Sequence, residues 1–150
     1  MEFAMSLEVA LPPAALWAVL TDVAQVSQCI PGCEEVEEVE RLARYTAVVK
    51  QKIGPFRMEV PAEIVVEEVC EPSLVRTRAS GRDRITGTTL AVTLVVTLVP
   101  ADVGSVLEVA AVVDVQGRLA TLGLAIIKRK AERNFEEFEQ RLKALLGVMA

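Results

Sequence analysis

The residues best suited to chemistry are two cysteines placed four positions apart. Cys29 and Cys33 flank the segment 30–32, in which Pro-Gly marks a turn. This spacing could hold a metal ion or form a redox pair, but it also suits two small, partly buried residues beside a turn. Because the chain has one further cysteine, Cys70, and no histidine, we favour the structural explanation and expect no metal site.

The lack of histidine also narrows the possible catalysis. General acid–base catalysis would depend on carboxylates, Lys, Tyr or Cys. The alternation of residues 56–69 directs Glu59, Glu63 and Glu67 to the outer face of a strand, so no carboxylate pair faces the interior. Ser-His and Cys-His pairs are impossible, and there is no glycine-rich phosphate loop. We therefore assign no catalytic residues.

Two polar residues fall on an otherwise apolar strand face. Tyr45 and Gln51 share one face of residues 43–53 with Ala47, Val49 and Ile53. Inside a cavity they could hydrogen-bond the carbonyl of a bound molecule. At the rim of the sheet their polar ends would lie in water, and we favour the rim because buried polar groups need partners.

Composition and charge restrict the class of protein. The 150 residues, 52% of them hydrophobic, fit one domain (1–150) with a real core. The net charge of −5 argues against nucleic-acid binding and against docking on anionic lipid by charge alone. An odd cysteine count without a secretion signal indicates a cytoplasmic protein. The apolar segment Leu119–Ile127 is too short to span a bilayer, which takes about 20 residues.

The elements that must position these residues follow from the hydrophobic period. Pro12 and Pro13 start a short helix, and a second one follows over Val23–Gln28. From about Arg118 to Leu146 the period becomes helical, and Gly147 ends this helix. Alternating segments predict strands over 2–10, 33–40, 43–53, 56–69, 74–80, 85–99 and 105–116.

This order predicts an α+β, helix-grip fold: a curved antiparallel sheet of about seven strands wrapped around a long C-terminal helix, with two short helices after strand 1. The apolar face of the sheet must be covered, but a twisted sheet curves away from a straight helix. Since the inward residues are mostly Val, Ala and Leu, we expect an apolar cavity. The helix residues expected to face it are Leu119, Leu122, Ile126, Phe135, Phe138, Leu142 and Leu145.

Four segments carry a resemblance to a known family. They are Val19–Asp22 (VLTD), Cys29–Cys33 (CIPGC), Lys52–Phe56 (KIGPF) and Val115–Gly123 (VQGRLATLG). With the element order, they make the chain resemble the START-like, helix-grip superfamily (SRPBCC), which includes polyketide cyclases and lipid carriers. Within it, the chain resembles the carbon monoxide dehydrogenase G-subunit family. The four segments are spread over nearly the whole chain. Cys29–Cys33 and Val115–Gly123 are the more specific to the family.

The resemblance implies a hydrophobic cavity between sheet and helix. It also implies an accessory role toward a molybdenum-containing carbon monoxide dehydrogenase, in maturation, membrane recruitment or delivery of a quinone. Many members carry a C-terminal tail or anchor, whereas this sequence ends at Ala150. We therefore expect a soluble carrier or adaptor with transient contact at the inner face of the membrane, and no cofactor beyond a bound lipid or quinone.

The candidate ligand contacts lie on the inward faces and beside the Pro-Gly turn. Core packing is the alternative role for each, and we favour it for the single tryptophan; for the strand and helix residues both roles stay open. The candidates are Trp17, Ile30, Tyr45, Phe56, Met58, Val60, Leu122 and Ile126.

Two runs of charged residues each have a structural explanation as well as a functional one. The glutamates of residues 34–40 could dock a basic partner, but charge also protects an exposed edge strand, which we favour. Lys128, Arg129 and Lys130 could touch phospholipid heads. We expect them instead on the wet face of the helix, with Lys128 pairing Glu132 at i,i+4.

The sequence is compatible with three kinds of function. We expect a non-enzymatic carrier of an apolar, lipid or quinone-like molecule that serves an oxidoreductase. A cyclase or hydratase would need an acid or base inside the cavity with a perturbed pKa. A protein adaptor would have an exposed apolar patch and no internal cavity.

Overall fold

A computed structural model describes residues 1–147, without the side chains of Arg118 and Ala120. The strands are β1 (Glu2–Val9), β2 (Cys33–Glu40), β3 (Arg44–Ile53), β4 (Phe56–Cys70), β5 (Leu74–Arg82), β6 (Thr89–Pro100) and β7 (Ser105–Gln116). The helices are α1 (Pro13–Leu20), α2 (Val23–Ser27) and α3 (Leu124–Leu146), the last preceded by a 3₁₀ turn over Arg118–Leu122. The strands form one antiparallel sheet in the order β1-β7-β6-β5-β4-β3-β2, which confirms the predicted fold class.

The alternation of side chains sets which face of the sheet is buried. In β3, Tyr45 and Ala47 are buried while Arg44 and Thr46 are exposed, as a period of two requires. β2 lies at one edge of the sheet, and all five of its glutamates are exposed. The acidic run therefore lies on an edge strand, as predicted.

The sixth strand begins later than its alternation predicted. It starts at Thr89 instead of residue 85, because residues 83–88 form a turn around the buried carboxylate of Asp83. This carboxylate accepts the backbone N–H of Glu59 at 2.9 Å and that of Thr86 at 2.7 Å. The turn is thereby fixed against β4.

The same turn also holds the segment that leads into α3. The Thr86 hydroxyl donates to Asp83 at 2.6 Å and lies 2.8 Å from the Thr88 hydroxyl, which accepts the N–H of Leu119 at 3.1 Å. Burial by itself would raise the pKa of Asp83, but these hydrogen bonds to the charged form outweigh burial and lower the pKa. A chain of polar contacts thus joins β4, the turn and the start of the final helix.

The final helix is not continuous from residue 118, and this corrects its predicted inner face. Gly123, with φ of 97°, separates the 3₁₀ turn from α3, so Leu122 and Ile126 do not belong to one helical period. Ile126 is 46% exposed and Leu145 also points to solvent; their predicted inward orientation is wrong. Phe138 and Leu142 are buried as predicted, whereas Ile127 and Leu146 are buried in place of Ile126 and Leu145.

The core consists of two separate clusters of buried side chains. One joins α1, β1 and β7 to the C-terminal half of α3, with Leu16, Leu107 and Leu142 at its centre. The other joins the ends of β3 and β4 to the start of α3, with Met58, Leu119 and others. The space between the two clusters is not filled by either.

Candidate apolar binding site

Two neighbouring cavities lie between the inner face of the sheet and the helices. The larger measures about 300 Å³ and lies beneath the N-terminal half of α3. The smaller measures about 110 Å³ and lies beneath α1 and α2. They are adjacent parts of one apolar space, because both are lined by Ile30, Ile64, Thr77, Leu94 and Phe138.

Small side chains on the sheet create the larger cavity. At the positions where a Val or Leu would fill the space, the inner face instead carries Ala47, Ala62, Ala79, Gly81 and Ala111. These residues come from β3, β4, β5 and β7, so the gap extends across most of the sheet. The helix meets it with side chains of mixed character, among them Ala131 and Phe135.

One part of the wall of the larger cavity is polar. The Gln51 amide donates to the Pro31 carbonyl at 2.6 Å and accepts from the Asn134 amide at 3.2 Å. Lys130, one helical turn before Asn134, also lines the cavity. The Pro-Gly turn, β3 and α3 therefore meet at a small polar cluster beside an apolar chamber.

A glycine lets the turn approach β3 this closely. Gly32 has φ of 78°, and a Cβ at this position would collide with the backbone oxygen of Lys50. The Lys50 N–H in turn donates to the Gly32 oxygen at 2.8 Å. Glycine is the residue that accepts such a backbone without strain, so the CIPGC segment has a structural reason for its Gly.

Tyr45 does not lie at the rim that was favoured for it, because its side chain is only 3% exposed. Its hydroxyl oxygen accepts the backbone N–H of Leu42 at 2.7 Å, while its own O–H can still donate. Its hydrogen bond to a ligand carbonyl therefore stays a prediction. Gln51 has both ends of its amide bonded, and its predicted place at a solvated rim is wrong.

The predicted ligand contacts divide into three groups by position. Met58 and Val60 line the larger cavity, Trp17 and Tyr45 line the smaller one, and Ile30 lines both. Phe56 and Leu122 line neither and pack against the second core cluster. Ile126 faces solvent. Whether the five lining residues contact a ligand stays a prediction.

Sequence reasoning missed the helix side of the larger cavity. Lys130 was expected on the wet face of the helix, but the structure places it half-buried in the cavity wall, and that expectation is wrong. The signal was present: stepping back from Phe138 by four residues gives Asn134 and then Lys130 on one helical face. Lys128 and Arg129 are exposed as predicted, but within the described residues no ion pair joins Lys128 to Glu132.

The cysteines offer little reactivity. Cys29 and Cys33 are both free thiols. Burial raises the pKa of Cys29, against a smaller opposing effect of Arg141, and burial together with the charge of Glu34 raises that of Cys33. Both shifts favour the unreactive thiol. Within residues 1–147, no three Cys, Asp or Glu side chains lie close enough together to hold a metal ion.

Solved structures with this fold cover nearly the whole chain. A conserved protein from Geobacillus kaustophilus is 20% identical, with a TM-score of 0.81 over 98% of this chain and 95% of its own. A START superfamily protein from Mycobacterium smegmatis is 14% identical, with a TM-score of 0.72 over 97% of each chain. A protein from Thermus thermophilus is 13% identical, with a TM-score of 0.69 over 97% of each chain. The seven-stranded sheet with its long C-terminal helix is thus a START-like fold.

The family is narrower than the fold. The chain belongs to the carbon monoxide dehydrogenase G-subunit (CoxG) family, whose model matches residues 6–147. None of the curated proteins matches the chain significantly by sequence. Among residues 1–147, no helix is both long and apolar enough to cross a membrane.

Proposed function

We propose that this protein is a non-enzymatic carrier that binds an apolar small molecule, lipid or quinone-like, in the larger cavity beneath α3. The observation that carries the proposal is the volume of about 300 Å³ lined mainly by apolar side chains. This volume falls within the range of small-molecule pockets, about 300–1,000 Å³. The START-like fold and the CoxG family membership support the same function.

The energetic cost of the cavity supports an occupant. An empty apolar void destabilises a protein by about 24 cal/mol per Å³, so this one would cost at most about 7 kcal/mol. That is comparable to the total stability of a domain, about 5–15 kcal/mol. Water would recover little of it, because each buried water needs two to four polar partners. A bound apolar molecule would recover much more.

The chemistry of the cavity wall supports binding over catalysis. Among the described lining residues there is no carboxylate. Asp83, a buried acid with a shifted pKa, lies outside the lining, and its oxygens are occupied by Glu59 and Thr86. A cyclase or hydratase would need such a group inside the cavity, and a pure adaptor would not need the cavity at all.

For the partner, we propose a molybdenum-containing oxidoreductase of the carbon monoxide dehydrogenase type, served by this protein in the cytoplasm with transient contact at the inner face of the membrane. The family membership supports this partner. Affinity purification from the native host, followed by molybdenum analysis and identification of the captured proteins, tests it. Recovery of the protein without any molybdenum-containing enzyme would contradict it.

The binding proposal can be tested by blocking the cavity. Ala111 of β7 lines it, whereas the adjacent Ala110 points to the outer, exposed face. We expect native mass spectrometry of protein from its own host to reveal a bound lipid or quinone. Ala111→Phe should lose most of this ligand because the added ring occupies its volume, and Ala110→Phe should retain it. A ligand-free wild-type protein, or equal occupancy in the two variants, would contradict the proposal.

A further inference from the structure

The polar part of the cavity wall contains a cation without a counter-charge. Lys130 is half-buried and lines the larger cavity. Within the described residues it has no ion pair and no hydrogen bond. A lysine in the wall of an apolar cavity, with no partner of its own, is suited to bind an anion that arrives from outside.

The neighbours of Lys130 reinforce this preference. On a helix the side chains at i±3 and i±4 are the nearest, and for Lys130 these are Ile126, Ile127, Arg133 and Asn134. None of them is acidic, and one is a second cation. Glu34, which follows the lining residue Cys33, already pairs with Lys50 at 3.0 Å.

A second donor lies one helical turn further along α3. The Asn134 amide uses one N–H for Gln51, and a side-chain amide has two. Lys130 and Asn134, one helical turn apart, therefore give this part of the wall hydrogen-bond donors, while most of the other lining residues are apolar. This is the arrangement that an amphiphile requires: hydrogen-bond donors for its head and an apolar chamber for its tail.

We propose that the ligand is a single-chain amphiphile with an anionic oxygen head, which lies against Lys130 and Asn134 while its tail fills the cavity. This inference rests on the proposed function and specifies its ligand class. The cavity lies at the lower end of the range of small-molecule pockets, which suits one chain better than two. The ammonium of Lys130 could give a charge-assisted hydrogen bond to either kind of head, but only an anionic head adds a direct Coulomb attraction to it.

The test uses ligands that differ in the head group and measures the binding of each to the wild type and to variants at Lys130 and Lys128. The probes are dodecanoate, dodecyl phosphate, dodecanol and a short-chain benzoquinone, each titrated by calorimetry. The variants are Lys130→Met, which keeps an apolar stem, Lys130→Arg, which keeps the charge, and Lys128→Met as the exposed control on the same helix. The two anionic probes distinguish a carboxylate from a phosphate as the source of the head.

We expect Lys130→Met to weaken binding of at least one anionic probe about tenfold or more, which is 1.4 kcal/mol. Binding of dodecanol should change little, Lys130→Arg should retain most of the affinity, and Lys128→Met should match the wild type. A second measurement does not depend on affinity. Carbon-13 NMR of carboxyl-labelled dodecanoate should give a lower pKa when bound to the wild type than when bound to Lys130→Met, because a nearby cation favours the carboxylate.

Two results would overturn the inference, and they have different consequences. If the probes bind to wild type and Lys130→Met with equal affinity, or if the quinone binds tightly and is indifferent to Lys130, the head site is wrong while the carrier function stands. If no probe binds to the wild type, the carrier function and the head site are both wrong.

Discussion

Beneath the C-terminal half of α3 the side chains fill most of the space and leave only the smaller cavity, whereas beneath its N-terminal half they leave the larger cavity open. Leu142 and Leu146 pack against Leu16 and Leu107 in the first core cluster. Several turns earlier, the same helix faces the larger cavity with Lys130 and smaller or polar neighbours. Helix and sheet are continuous through both regions, so the difference comes from side-chain size and not from a break in the backbone.

This contrast indicates how one scaffold combines stability with a binding site. The filled region can supply the hydrophobic stabilisation that the open region lacks. The open region relies instead on polar ties, through Asp83 at the turn before β6 and through Gln51 between turn, strand and helix. The effects of substitutions on the free energy of unfolding should therefore differ between the two regions, both in size and in physical cause.

The largest expected effect is in the filled region. Leu107→Ala should lower the free energy of unfolding by about 3–5 kcal/mol, because Leu107 is fully buried, borders neither cavity and would leave a new void in a close-packed cluster. Ile127→Ala, which borders the larger cavity, should cost about 2 kcal/mol or less, because part of its surroundings is already empty. Urea denaturation of both variants measures the difference. Equal losses would mean that the two regions are packed alike.

An intermediate effect is expected at the polar tie before β6. Asp83→Asn should lower the free energy of unfolding by about 1–3 kcal/mol, because an amide NH₂ would replace one carboxylate oxygen and leave a buried N–H or hydroxyl unsatisfied. The folded state lowers the pKa of Asp83, so its stabilisation is complete above the unfolded pKa of about 4 and is lost as the pH falls through the lower folded value.

Denaturation between pH 7 and pH 2 measures this dependence in the wild type and in Asp83→Asn. The difference in stability between them should be constant near neutral pH and shrink at acid pH. A difference that grows on acidification would contradict the assignment of Asp83 as a buried carboxylate.

The smallest effect is expected at the position whose predicted orientation was wrong. Ile126→Ser should change the free energy of unfolding by about 0.5 kcal/mol or less, since its side chain is largely exposed. Ile127→Ser, one position further, should cost several times more. Thermal unfolding of the two variants measures the difference. A large loss of stability for Ile126→Ser would contradict its exposed position and support the continuous helix that the hydrophobic period predicted.

The sequence was sufficient for what depends on a regular period. The alternation of β3 and β7, the short helices after β1 and the helix end at Gly147 were all predicted. It was insufficient where one residue interrupts the period. Ile85, Gly87 and Thr89 alternate like a strand, yet the buried Asp83 bends the first two into a turn. Gly123 shifts the phase of the last helix in the same way, which reverses the roles of Ile126 and Ile127.

The binding site depends even more on such details. A lysine on a helix is usually exposed, so the residue type of Lys130 did not indicate that it lines a cavity. Its position follows from the phase of Phe138 and from the alanines that face it across the sheet. A cavity forms where side chains from several distant segments leave space between them. The hydrophobic pattern within one segment cannot predict such a space.

The tie formed by Gln51 has a consequence for kinetics. It is the hydrogen-bonded link between the helix and the middle of β3, and the same amide also holds the Pro-Gly turn. The single hydrogen bond between Asn134 and Gln51 contributes about 0.5–1.5 kcal/mol, so the apolar packing of α3 and not this tie holds the helix on the sheet. Such a weak tie is compatible with rapid exchange of the ligand in the carrier proposed above.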